Sequence, residues 1–248
     1  ERIVNDHSVD CVYSGISEFN LIQSMRLSKR CGLPFYCTEE QWNDIADKEL
    51  FRKKCIEHGV PCPQTYYSGT SMPESLPDEI SYPAVIKPVD ASSSAGVHIC
   101  PDKETLLASI SDAFNASTSG KIILEQFVKG HEFTAHYTLF DGKATLSCID
   151  NRYPTAVHDG VVTTIPAARI YPSLFVDEYI ESVNESMIRL CESTGVRYGV
   201  LFIQGMFDPE TKDFAIFEGG LRGAGECPYR YIERINLSLI HISEPTRP

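Results

Sequence analysis

The chain has 248 residues, 42% of them hydrophobic and 10% aromatic, which is enough to bury a core and to form more than one compact unit. Its 34 acidic residues outnumber 22 basic ones, for a formal net charge of −12, and a surface of that sign repels nucleic acid and anionic membranes. Nine cysteines without a Cys-x-x-Cys pair read as reduced thiols used as small apolar residues. No apolar run reaches the length of a membrane span and no signal peptide is in view, so the cytoplasm is the expected compartment.

In chain order, Ser17 is placed to cap a helix over "EFNLIQSMRLSKRC" that Gly32 ends, and "LPFYC" (33–37) reads as a short strand. Asp47 caps a second helix, "KELFRKKCIEH", which Gly59 stops. "YPAVIKP" (82–88) is a strand set between prolines, followed by the loose "VDASSSAG" (89–96) and a second strand, "VHIC" (97–100). Asp102 then opens the helix "KETLLASISDAF". From Lys121 the pattern turns to strands: "KIILEQFV", "HEFTAHYTLF" and "KATLSCI", the last two joined by Asp141-Gly142, a strong hairpin signal. Ile180, Val183, Met187 and Leu190 give the next segment one apolar helical face. "GVLFIQGMF" and "DFAIFE" close the series as a hairpin across "DPETK". Helices and strands mixed first, then an antiparallel sheet carrying a helix, predict an α+β fold in lobes, not a doubly wound one.

Three stretches carry candidate chemistry. In "AVIKPVDASSSAGV", Lys87 ends a buried strand, where an ammonium is costly unless it meets an anion, and small residues follow that could wrap phosphate oxygens or simply form a serine-rich turn. No Gly-Lys-Ser/Thr follows, so it is not a Walker A loop. In "ILEQFVKGHE", Glu125 ends an apolar strand and Glu132 follows seven positions later; ribose recognition or two solvated glutamates both fit. In the final hairpin, Gln204 and Glu218 can face each other across the strand pair as oxygen ligands for Mg²⁺. Arg222 then offers a planar fork for a phosphoryl or carboxylate group within a glycine-rich turn.

The order of Lys48, Lys87 with its loop, Glu125 to Val128, Glu132, Gln204, Glu218 and Arg222 resembles the ATP-grasp superfamily, and most closely its carbamoyl-phosphate-synthetase-like branch. The resemblance runs from about Cys11 to Ile235. It implies two α/β lobes clasping ATP: a central one over 47–124, a C-terminal one over 125–236, and the remnant of a preceding α/β domain over 1–46. It implies that Lys48 and Lys87 contact phosphate and that Ser92, Ser93, Ser94 and Gly96 belong to a lid over the triphosphate. Glu125, Gln126, Phe127 and Val128 would line the adenine hinge, Glu132 would hold the ribose, and Gln204 and Glu218 would bind Mg²⁺ or Mn²⁺. Lys87 and Arg222 would act in catalysis.

The activity so implied is ATP-dependent ligation of a small-molecule carboxylate to an amine or other nucleophile through an acyl phosphate, and the family admits a homodimer. One position departs from the family's Glu-x-Asn-x-Arg pattern: Gly220 stands where an asparagine completes the metal shell. A module that binds ATP without turnover and a phosphotransferase therefore stay open, and Gly220→Asn is expected to tighten Mg²⁺ binding if that position faces the metal. His158, Asp159 and Arg169 lie in a segment that in the family is near the acceptor, whereas His98, His131 and His136 read as ordinary strand residues. The run "LSLIHISEPTRP" (237–248), back-translated, resembles a transposase adapter used in preparing sequencing libraries, the alternative being a short amphipathic tail, and no fold element is expected from it.

Overall fold

The computed structural model describes residues 2–71, 76, 77, 79–90, 95–154, 166–225 and 228–236. Ser92, Ser93, Ser94, His158, Asp159 and the 237–248 run lie outside them. Four helices come first: α1 (Arg2–Asp6), α2 (Glu18–Cys31), α3 (Glu39–Ala46) and α4 (Lys48–His58). Gly32 and Gly59 close α2 and α4 in the left-handed conformation, and Asp47 accepts from the Glu49 and Leu50 N–H groups at the start of α4, as their positions predict. The expected strand at 33–37 does not form. Phe35 and Tyr36 stack on each other there, and the Tyr36 hydroxyl donates to the Leu221 carbonyl at 2.7 Å, so side chains, not a ladder, hold the segment. The sequence reading also passed over α3, although Thr38-x-x-Gln41 is a capping box and both of its hydrogen bonds are made.

A four-stranded sheet follows, in the order β1-β4-β2-β3, built from β1 (Thr65–Gly69), β2 (Ala84–Pro88), β3 (His98–Cys100) and β4 (Ile122–Gln126). Helix α5 (Lys103–Ala116) covers it, capped by Asp102 through the Thr105 N–H, and Leu106, Ile110 and Ala113 meet Ala84, Ile86 and Leu124 in a small core.

The second sheet has five strands in the order β7-β6-β5-β8-β9. They are β5 (His131–Phe140), β6 (Lys143–Pro154), β7 (Pro166–Ile170), β8 (Gly199–Phe207) and β9 (Phe214–Gly220). The β5–β6 turn places Asp141 and Gly142 at positive φ, 49° and 77°, the backbone that an Asp-Gly hairpin predicts. Alternation along β5 sends Phe133, Ala135, Tyr137 and Leu139 into the larger core and turns Glu132, Thr134 and His136 to the opposite face. Of the predicted apolar face, Val183, Met187 and Leu190 pack on this core from a π-helical turn (Ile180–Asn184) and α7 (Glu185–Ser193), which follow α6 (Val176–Tyr179), whereas Ile180, at the start of the π-helical turn, is half exposed and stays outside it. Trp42 and Ile45 of α3 and Phe51 and Cys55 of α4 join the same core. Helix α4, grouped by sequence with the unit that follows it, thus buries its apolar side against the second sheet. A last helix, α8 (Tyr229–Asn236), stacks Tyr231 on Tyr171 at 5.5 Å between ring centres.

Candidate active site

The site begins with an irregularity in β9. Gln204 pairs with Glu218, but the next pairing is Gly205 with Ile216, so Phe217 is an extra residue on β9, a β-bulge. Ile216 points into the larger core, and strict alternation would send Glu218 to that same face. The bulge shifts the phase by one residue and turns Glu218 to the side of Gln204. The backbone groups of Ile216 are satisfied from outside the ladder. Its N–H donates to the Pro61 carbonyl at 2.8 Å, and its carbonyl accepts from Arg52 Nη1 at 2.8 Å. Gly205 lets the strands come this close, since a Cβ there would lie 2.7 Å from the Phe133 ring and 2.8 Å from the Ala215 carbonyl oxygen. The apolar run thus delivers a carboxylate to a polar face because one residue is counted out of register.

A shallow, open cleft lies beside Glu218; Gln204 and Lys87, expected at the same site, are not among the residues that line it. It is lined by Glu218, Gly219, Gly220 and Phe202 of the strand pair, by Lys48 at the head of α4 and Asp90 after β2, and by Arg222, Glu18 and Trp42. Lys48, Glu218 and Arg222 therefore share one space, as their sequence pattern implied. Arg222 lies over the Phe202 ring at 4.8 Å, faces Glu18 at 3.5 Å and donates to the Gly223 carbonyl at 3.1 Å. The Lys48 backbone N–H reaches the Val89 carbonyl at 3.3 Å, which ties the head of α4 to the strand carrying Lys87.

Lys87 is buried, and its ammonium pairs with Glu125 Oε1 on the adjacent strand β4. Glu125 Oε2 accepts from Arg52 Nη2 at 2.6 Å. Burial pulls the Lys87 ammonium below the usual lysine range, Glu125 opposes that pull, and the Arg52 and Lys48 charges add to it. Lys87 also lies 5.5 Å from the centre of the Phe217 ring, the residue extruded at the bulge. The Glu125 carboxylate, expected at an adenine hinge, is thus committed to two buried cations; its neighbour Gln126 is exposed, and Phe127 and Val128 are partly so. Sequence reading missed Arg52. Its signal was its place four residues after Lys48, on the same side of α4.

Glu132 stands beside Arg152 of β6, with which it makes an ion pair. Burial raises its carboxyl above the usual value, the Arg152 and Arg169 charges oppose this, and Glu218 and Asp150 add to it. Arg169 of β7 donates to Asp150 at 2.7 and 2.9 Å and to Thr134 at 3.2 Å, and His136 reaches Asp150 at 2.9 Å. The polar face of the second sheet is therefore a charge network that runs up to Glu218. His136, a residue of β5, belongs to it.

Of the residues expected in a lid, Gly96 has φ +67°, and a Cβ there would lie 2.6 Å from the Ala116 side chain, so close packing against α5 already demands glycine. Asp90, shortly after β2, accepts from Ser117 Oγ and Ser119 N, each at 2.7 Å, and from Thr118 Oγ1. Burial pushes its carboxyl up, but those donors outweigh burial and hold it at about 2, below the ordinary 3.8. A depressed carboxyl stabilises the fold above its unfolded value and loses that contribution as pH falls through the folded one. Asp90 is partly exposed and screened by solvent, so Asp90→Ala should cost only about 1 kcal/mol at pH 7. That difference should shrink as pH falls from about 4 to about 2. Urea denaturation of both proteins across this range measures it.

Oxygen donors opposed across two strands, beside clustered cations, have known counterparts. A family model described as "ATP-grasp domain" matches residues 80–229. The chain belongs to the ATP-grasp family. Its sequence is 28% identical over 177 residues to the carbamoyl phosphate synthase large chain of Rubrobacter xylanophilus, covering 69% of this chain and 16% of that protein. The fold is similar to the biotin carboxylase domain of Hydrogenobacter thermophilus 2-oxoglutarate carboxylase, solved with MgADP and bicarbonate, at TM-score 0.79 and 17% identity, covering 100% of this chain and 56% of that one. It is similar also to an L-amino acid ligase of Bacillus licheniformis, at TM-score 0.75 and 17% identity, covering 94% and 54%. The chain thus spans a minor part of that synthase and just over half of each of these two solved chains. The α+β ATP-grasp fold expected from sequence is the one found. Among the described residues, no helix is long and apolar enough to cross a membrane.

Proposed function

We propose that this chain is the ATP-clasping portion of an ATP-dependent carboxylate–amine ligase that works through an acyl phosphate with Mg²⁺ or Mn²⁺. The observation that carries the reading is Glu218, paired with Gln204 across the strands beside the bulge, lining a cleft that Lys48 and Arg222 also line. One amide and one carboxylate oxygen suit a hard cation that completes its octahedron with water and phosphate oxygens. Such an ion, when bound, neutralises charge on the triphosphate.

The residues of the chain do the rest. Lys48 and Arg222 lie where a triphosphate and a carboxylate must be brought together against their mutual repulsion. Lys87 is buried with its ammonium held by Glu125, and a role in phosphate contact would require it to leave that pair. In the first step a substrate carboxylate oxygen bonds to the γ-phosphorus while the bond from that phosphorus to the β–γ bridging oxygen breaks, and ADP leaves. Arg222 is placed to receive the new phosphoryl group. In the second step an amine nitrogen bonds to the acyl carbon, phosphate leaves, and the nitrogen gives up a proton to solvent. The ATP-binding units are expected over 47–124 and 125–236, with the adenine edge at Gln126–Val128 and the ribose near Glu132.

Incubating the protein with ATP, Mg²⁺, pooled carboxylates and hydroxylamine tests this. ADP and a hydroxamate should appear together. ADP without hydroxamate would make the chain a phosphotransferase, and nucleotide binding without ADP would make it a module that only holds ATP.

A further inference from the structure

Gly220 and Phe202 are direct cross-strand partners, so their side-chain positions share one face of the β8–β9 pair. A Cβ on Gly220 would lie 2.3 Å from one carbon of the Phe202 ring and 2.5 Å from another. The ring therefore fills the space from which a side chain at position 220 would extend. The same ring carries the Arg222 guanidinium on its face at 4.8 Å, and both line the cleft. Phe202 is almost fully buried, which strengthens a cation–π interaction by removing competing water. Among the described residues no group of three His, Cys, Asp or Glu side chains is arranged to hold a metal.

We infer that Phe202 is a positioning residue. Its ring takes the place of a third side-chain metal ligand at position 220 and in exchange fixes Arg222 over the cleft, leaving Gln204 and Glu218 to hold the cation. The inference rests on the ligase reading and deepens it: the cation keeps two side-chain ligands, and the phosphoryl group meets a guanidinium held in one orientation. The ring has a purely architectural alternative, since an aromatic partner commonly shields a glycine near a sheet edge. Under that alternative the ring would set stability alone.

Three variants of the chain separate the two. In protein saturated with MgADP, titrating inorganic phosphate reads the Arg222 subsite, while MgADP affinity and Mn²⁺ affinity are measured in parallel. Phe202→Leu should weaken phosphate binding about three- to tenfold and leave MgADP affinity unchanged. Phe202→Tyr keeps the aromatic face and should restore phosphate binding. Gly220→Ala should copy Phe202→Leu, because its Cβ drives the ring off Arg222, and it should not tighten Mn²⁺ binding. Equal phosphate affinity in Phe202→Leu and the parent would overturn the inference while leaving the ligase reading intact. So would tighter Mn²⁺ binding in Gly220→Asn with Phe202 in place, the outcome first expected from sequence. Failure of the parent protein to bind MgADP would remove the ligase reading, and this inference with it.

Discussion

Glu218→Gln will lower ADP formation by at least about a hundredfold and weaken Mn²⁺ binding, without lowering the melting temperature. The substitution keeps shape and size and removes one negative charge. Removing a charge-assisted interaction from a transition state costs a few kcal/mol, and each 1.4 kcal/mol is about tenfold in rate. Stability should hold or rise, because Glu218 lies close enough to Glu132 to help raise its carboxyl above the usual value. Removing one of two neighbouring carboxylates relieves that repulsion, the usual exchange of stability against function at an active site. The rate of ADP release, Mn²⁺ titration and a thermal melt check the three parts. A variant that melts earlier and turns over normally would place Glu218 in the scaffold and not in the chemistry.

Arg52→Met will destabilise the fold by about 3–5 kcal/mol, the largest stability effect expected of a single substitution here. Arg52 and Glu125 are both nearly fully buried and lie 2.6 Å apart, and Arg52 also satisfies the Ile216 carbonyl. Methionine fills much of the same volume but leaves Glu125 with Lys87 alone and the bulge carbonyl without its donor. The two losses have different readouts. The broken ion pair shows in urea denaturation, while the loosened bulge shows as weaker Mn²⁺ binding, since Glu218 owes its direction to that irregularity. A stability loss below about 1 kcal/mol would mean that the triad rearranges easily. Full Mn²⁺ affinity would mean that the bulge holds its shape without Arg52.

Parts of this site were legible in the chain itself. Gln204 and Glu218 sit fourteen positions apart in a hairpin whose turn is plain to read, and the structure pairs them directly. The helices at Asp47 and Asp102 were equally open to view, because a capping carboxylate acts on its own neighbours. The strand expected at 33–37 failed because what holds that segment is Leu221, 185 residues away from Tyr36. The Glu125 carboxylate was assigned to a ligand since nothing local shows that Lys87 and Arg52 converge on it from another strand and a helix.

Most element types, the α+β order and the family follow from the order of residues along the chain, because periodicity, caps and motif order are short-range features carried by near neighbours. Folding in three dimensions was needed to set which way Glu218 points, where Phe202 lies, and that Glu125 faces inward. Those outcomes depend on a one-residue slip in strand pairing and on burial energies between distant side chains, and neither leaves a mark on the order of neighbouring residues.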